Sequence, residues 1–147
     1  MKQLTVMLKP ASSLCNLRCS YCFYDDISSL REVSSFGIMT ESVARSVLDH
    51  ILTELEAGDR LTLSFQGGEP TLAGLDFYRN LTEYIKQKKT EVQIFYTIQT
   101  NGLLLNEEWC EFLTENHVLI GISCDILSQA HDHAPVSYTH LRAHETV

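Results

Sequence analysis

The sequence is short of positive charge: 11 Lys and Arg stand against 19 Asp and Glu, a formal net charge of −8. Phosphate backbones are held by basic patches, so this balance speaks against a nucleic-acid partner. The one lysine cluster, Lys86, Lys88 and Lys89, falls at a predicted helix end, where cations suit the dipole. Long apolar runs are missing as well. Nothing approaches the roughly 20 apolar residues of a membrane span. The opening MKQLTVMLKP lacks the apolar core and small-residue cleavage site of a secretory signal. These absences make the cytoplasm the expected setting, with no membrane partner. An even, dispersed set of cysteines is also absent. The chain has five, and three of them crowd into eight residues. Secreted disulfide frameworks show even counts at wider spacing, so in a reducing compartment the cluster points to metal.

What is present suits one globular domain with a real core: 147 residues, 44% hydrophobic and 20% charged. Gln3–Leu8 reads as an apolar strand ended by Lys9-Pro10. Residues 11–37 form a long segment of weak periodicity, the kind of loop that usually has a function. Thr40 caps an amphipathic helix in which Val43, Ala44, Val47, Leu48, Ile51, Leu52 and Leu55 recur at helical spacing until about Gly58. Leu61, Leu63 and Phe65 alternate with polar residues over Arg60–Gln66, which predicts a strand. The turn Gly67-Gly68-Glu69-Pro70 ends it. A second helix is predicted from about Leu75 to Lys88, then a strand over Val92–Thr100 closed by Asn101-Gly102. Asn106 caps a third helix, and His117–Cys124 reads as a fourth strand. Strands alternating with helices imply βαβ units in a parallel sheet. Ligand-binding residues of such sheets lie at the carboxyl ends of strands. The cysteine loop, the GGEP turn, Thr100-Asn101-Gly102 and Ser123 all fall there.

Cys15-Asn-Leu-Arg-Cys19-Ser-Tyr-Cys22 has the spacing C-x3-C-x2-C. Thiolates select zinc or iron–sulfur clusters. Structural zinc wants four ligands, usually in two separated pairs. Three cysteines without an obvious fourth suit a cubane that leaves one iron open. Zinc stays as the alternative, with Cys110 or Cys124 as fourth ligand, although both read better as buried small apolar residues or bystanders. In the GGEP turn the glycines permit close backbone approach, and Glu69 can accept a hydrogen bond from an ammonium.

Together the two motifs resemble the radical S-adenosylmethionine (SAM) superfamily. Further segments narrow the likeness to anaerobic sulfatase-maturating enzymes across residues 1–124. They are Lys9-Pro10-Ala11-Ser12-Ser13, Cys22-Phe23-Tyr24, Phe65 to Leu75, Ile98-Gln99-Thr100-Asn101-Gly102 and Gly121-Ile122-Ser123. The resemblance implies a partial (βα)6 barrel, here truncated after about its fourth strand. It implies a 4Fe–4S cluster on Cys15, Cys19 and Cys22, whose open iron takes the amine and carboxylate of S-adenosyl-L-methionine. It implies cleavage of that cofactor to a 5′-deoxyadenosyl radical, which oxidises a Cys or Ser of a sulfatase polypeptide to Cα-formylglycine. Gly67, Gly68 and Glu69 would meet the SAM amino group, and Tyr21 and Tyr24 the adenine. Ser123 would lie near the ribose or methionyl group, and Gln66 and Gln99 would face substrate. An electron donor such as a flavodoxin or ferredoxin is implied too. The alternatives are another peptide-modifying maturase of the superfamily, or a plain iron–sulfur or zinc module.

The likeness weakens after Ser123. The family reads Asp-Gly-Pro next, where this sequence has Cys124-Asp125-Ile126-Leu127. Residues 136–146 look like one reading frame of a sequencing adapter, so 135–147 are expected to be a non-native tail and 1–134 the start of a core domain. The family's general base and its C-terminal domain of auxiliary clusters would lie beyond the chain. No catalytic residue proper is therefore assigned, and the chain alone is expected not to turn over.

Overall fold

Apolar residues spaced two apart build a half-covered sheet, and here they build a parallel one. The computed structural model describes residues 1–19, 22, 24, 28, 30–88 and 91–123. It contains β1 (Gln3–Leu8), β2 (Arg60–Phe65), β3 (Gln93–Thr100) and β4 (Leu119–Ile122). These pair in parallel in the order β1-β2-β3-β4. Helix α1 (Glu41–Thr53) precedes β2, α2 (Leu75–Gln87) precedes β3, and α3 (Glu107–Glu115) precedes β4. The expected alternation of strand and helix is the observed one.

Successive side chains of a strand point to opposite faces, which gives the sheet two characters. Val6 and Leu8, then Leu61, Leu63 and Phe65, then Ile94, Tyr96 and Ile98 join one apolar core. The helices close that core with Ala44 and Leu48 of α1, Phe77, Leu81 and Ile85 of α2, and Trp109, Phe112 and Leu113 of α3. Thr5, Met7, Thr62, Ser64, Phe95, Thr97 and Gln99 occupy the alternate positions. Met7 and Phe95 on that side remain 52% and 43% exposed. Leu63 is fully buried at the centre of the core. Leu63→Ala is therefore expected to cost about 2–5 kcal/mol, read as a lower denaturation midpoint with an unchanged slope.

Local chemistry sets the helix starts. Thr40 Oγ1 accepts from Val43 N at 3.4 Å, and Asn106 Oδ1 accepts from Trp109 N at 3.0 Å. Each satisfies a backbone donor that the first turn leaves unpaired. Helix α1 stops at Thr53 rather than near Gly58, because Glu54 N already bonds Ile51 O and the chain turns away. Strand β4 is shorter than expected at its start: His117 has φ 51, a left-handed residue that turns the chain out of α3. One turn of 3-10 helix, Pro70–Ala73, follows β2 where only a turn was predicted. Among the lysines at the end of α2, Lys88 ties that helix to α1 through Asp49 at 2.8 Å.

Candidate functional site

A parallel sheet delivers every strand's carboxyl end to one rim. There β1 runs into Lys9–Ser13, β2 into Gln66–Glu69, β3 into Asn101 and β4 into Ser123. Backbone bonds weld the first two segments together. Gln66 N donates to Leu8 O (3.0 Å), Gly68 N to Ser12 O (3.0 Å) and Glu69 N to Leu14 O (2.7 Å). Such an approach leaves no space for side chains on the turn. A Cβ on Gly68 would stand 2.0 Å from Leu14 O, and one on Gly67 2.6 Å from Ser12 O. Gly67 also has φ +122, which L side chains rarely adopt. The two glycines thus hold the cysteine loop against the end of β2.

Glu69 is the hub of the rim, and only 1% of it is exposed. Its Oε1 accepts from Thr71 N (3.0 Å), Thr71 Oγ1 (2.5 Å) and Thr100 Oγ1 (2.6 Å), and its Oε2 accepts from Asn101 N (2.7 Å). A buried carboxylate needs such donors. The side chain therefore fastens the end of β2 to the end of β3, a structural duty that the sequence reading did not give it. Oε2, with one donor, keeps the larger spare accepting capacity. Tyr78 braces the turn from below by donating to Pro70 O at 2.7 Å. Burial, and next the Glu69 charge, push its phenol pKa up, so it stays a neutral donor.

The three cysteines follow directly. Cys22 N donates to Cys19 O at 3.0 Å, which ties the third cysteine to the second. Cys15 Sγ accepts from Leu17 N at 3.4 Å. Cys15 reaches solvent at the rim, yet enough protein surrounds it that desolvation pushes its thiol up. The Glu69 and Cys22 charges add to that, and the Leu17 N–H opposes it. Three thiolates on one loop are the donor set of an iron–sulfur cluster, in which each would take a different iron, so Cys15, Cys19 and Cys22 fit that group.

The remaining residues singled out from sequence divide. Gln99 Nε2 donates to Ser123 Oγ at 3.0 Å, which brings those two together. The carboxamide lies over Gly121, where a Cβ would stand 2.2 Å from Gln99 Oε1. Gln66 Nε2 donates to Ser64 Oγ at 3.2 Å. The Tyr24 ring has the Lys9 ammonium 4.7 Å from its centroid. Tyr21, Cys124 and residues 124–147 lie outside the described residues. Cys110 is exposed on α3, which fits the bystander reading and not the buried one. Trp109, Phe112 and Leu113 take the inner face, and one step of a 3.6-residue turn carries position 110 off it. Sequence reading also missed Thr100 and Asn101 as partners of Glu69. Asn101-Gly102 after a strand signals a turn, but nothing local signals a partner 31 or 32 residues away.

Comparison with known proteins points the same way. The model of the radical SAM superfamily matches residues 10–144. The chain is 47% identical over 133 residues to the cysteine-type anaerobic sulfatase-maturating enzyme of Clostridium novyi (strain NT), covering 90% of this chain and 35% of that protein. It is 34% identical over 131 residues to the serine-type enzyme of Bacteroides thetaiotaomicron, covering 89% of this chain and 31% of that protein. The solved structure of native anSMEcpe with bound AdoMet and Cp18Cys peptide superposes with a TM-score of 0.76 at 40% identity, covering 90% of this chain and 34% of that one. The chain thus spans about a third of the length of the curated relatives it matches.

Proposed function

Because the chain belongs to the radical SAM superfamily, we propose that it contributes the cluster and SAM site of an anaerobic sulfatase-maturating enzyme. That enzyme would oxidise Cβ of a cysteine or serine in a sulfatase polypeptide to give Cα-formylglycine. The observation that carries this reading is the docking of the Cys15–Cys22 loop on the GGEP turn through Gly68 N to Ser12 O and Glu69 N to Leu14 O. It brings three thiolates and an acceptor for an ammonium to one rim.

Cys15, Cys19 and Cys22 would hold the 4Fe–4S cluster. When bound, that cluster supplies the electron that splits SAM into methionine and a 5′-deoxyadenosyl radical. Gly67 and Gly68, packed against the cysteine loop, would set the turn that meets the methionyl end, and Glu69 Oε2 would offer a fixed negative charge to its ammonium. Tyr21 and Tyr24 would meet the adenine. Ser123, oriented by Gln99, would meet the ribose or methionyl group. Gln66 and Gln99 would face the polypeptide. A flavodoxin or ferredoxin would reduce the cluster, and the setting would be the cytoplasm. The identity to the cysteine-type relative, 47% against 34% for the serine-type one, favours a cysteine target.

A chimera tests this. Residues 1–123 replace the matching segment of the C. novyi enzyme, and the product is reconstituted anaerobically with SAM, reductant and a cysteine-bearing sulfatase peptide. Mass spectrometry is expected to find formylglycine, and none after Cys15→Ala. Cleavage of SAM with the peptide left unchanged would contradict the proposed substrate.

A further inference from the structure

Asn101 stands between the two halves of the rim, and its backbone N–H and both polar atoms of its side chain are engaged there. Its backbone N–H donates to Glu69 Oε2 at 2.7 Å. Its Oδ1 accepts from Leu103 N at 3.0 Å, which fixes the side chain over the turn that ends β3. Its Nδ2 then points at the cysteine loop. One hydrogen goes to Asn16 Oδ1 at 2.8 Å, and Cys15 Sγ lies 3.9 Å from the same nitrogen. The residues joined this way are 32, 86 and 85 positions from Asn101 in the chain, so they meet only through the fold.

We infer that Asn101 is a positioning residue for the cluster, donating to the first cysteine sulfur and thereby making the cluster easier to reduce. The inference rests on the cluster reading above. A donor aimed at a ligating sulfur stabilises the state with more negative charge, which is the reduced one, and hydrogen bonds to sulfur are among the determinants of cluster potential. Leu17 N already donates to the same sulfur at 3.4 Å. Asn101 adds a second donor, and that donor belongs to the same residue that holds Glu69. Cys15 and the turn expected to receive SAM are therefore set by one side chain and its own backbone.

The test uses the full chain, reconstituted anaerobically with iron and sulfide, and reads the midpoint potential by EPR-monitored titration. Asn101→Asp keeps the Oδ1 acceptor for Leu103 N and removes the donor, so the turn survives while a negative charge replaces an N–H. Asn101→Ala removes both. The equilibrium constant for reduction is expected to fall about threefold in Asn101→Ala. In Asn101→Asp it should fall on the order of tenfold, which for one electron is about 59 mV. Iron content should match wild type in both. Unchanged potentials in two variants that hold the cluster would overturn the inference and leave the cluster reading standing. Loss of the cluster from both variants would also overturn it, since Asn101 would then be a fold element rather than a tuner. A wild-type chain that takes up no cluster would overturn both.

Discussion

Gly68→Ala is expected to undo the junction between the cysteine loop and β2. The new methyl group would meet Leu14 O at 2.0 Å, Leu14 C at 2.6 Å and Ser13 C at 2.7 Å, all of them backbone. No side-chain rotation relieves such a clash, so the loop has to move away. The move breaks Gly68 N to Ser12 O and Glu69 N to Leu14 O together. Overpacking costs typically 1–3 kcal/mol, and a rigid backbone neighbour puts this case at the upper end, about 3 kcal/mol. Two lost backbone bonds add about 1 kcal/mol each. The chain should melt several degrees lower and retain little iron. Gly74→Ala is the comparison: no atom lies within 4 Å of its Cβ, and only the positive φ of 82° is strained. That variant is expected to keep its iron. Equal loss of iron in both would show that the junction has no special part in holding the cluster.

Removing any one cysteine of the loop should have a different and larger effect on the cofactor alone. Each of Cys15, Cys19 and Cys22 would hold a separate iron, so Cys→Ala at any of them leaves one iron without its protein ligand. Reconstituted iron is expected to fall on the order of tenfold or more in each single variant, since loss of an outer-shell partner alone typically costs about 10–100-fold in metal affinity. The apo chain should unfold almost as before, since these side chains lie at the rim and outside the core cluster. Cys110→Ala is expected to bind iron as wild type does, because Cys110 sits exposed on α3. Retention of the cluster in Cys19→Ala would show that another ligand had been overlooked.

The contrast between those two substitutions reflects what can be read in a sequence. Alternation in β2 and helical spacing in α1 are local, so Leu61, Leu63 and Phe65 and the Ala44–Leu48 face are legible without coordinates. So are the caps at Thr40 and Asn106, whose bonds span three residues. The C-x3-C-x2-C loop and the GGEP turn are legible as motifs, and parallel topology sends both to one rim. Their mutual fit is not. That Gly68 is glycine because Leu14 O occupies its side-chain space depends on a contact across 54 residues. Glu69 shows the same limit. Its type suggested an acceptor for an ammonium, but four donors from Thr71, Thr100 and Asn101 are what hold it. For Cys110 residue type left burial and a bystander's place both open, and the helix phase set by Trp109, Phe112 and Leu113 decides for the second by turning it to solvent.

The measurement that bears most directly on this account is EPR of the full chain, reconstituted anaerobically with iron and sulfide and reduced, recorded with and without SAM. The expected result is a cubane signal that changes shape when SAM is added and is lost in Cys15→Ala. A signal indifferent to SAM would contradict a site-differentiated cluster beside Glu69. One zinc per chain with no iron signal would contradict the cluster itself.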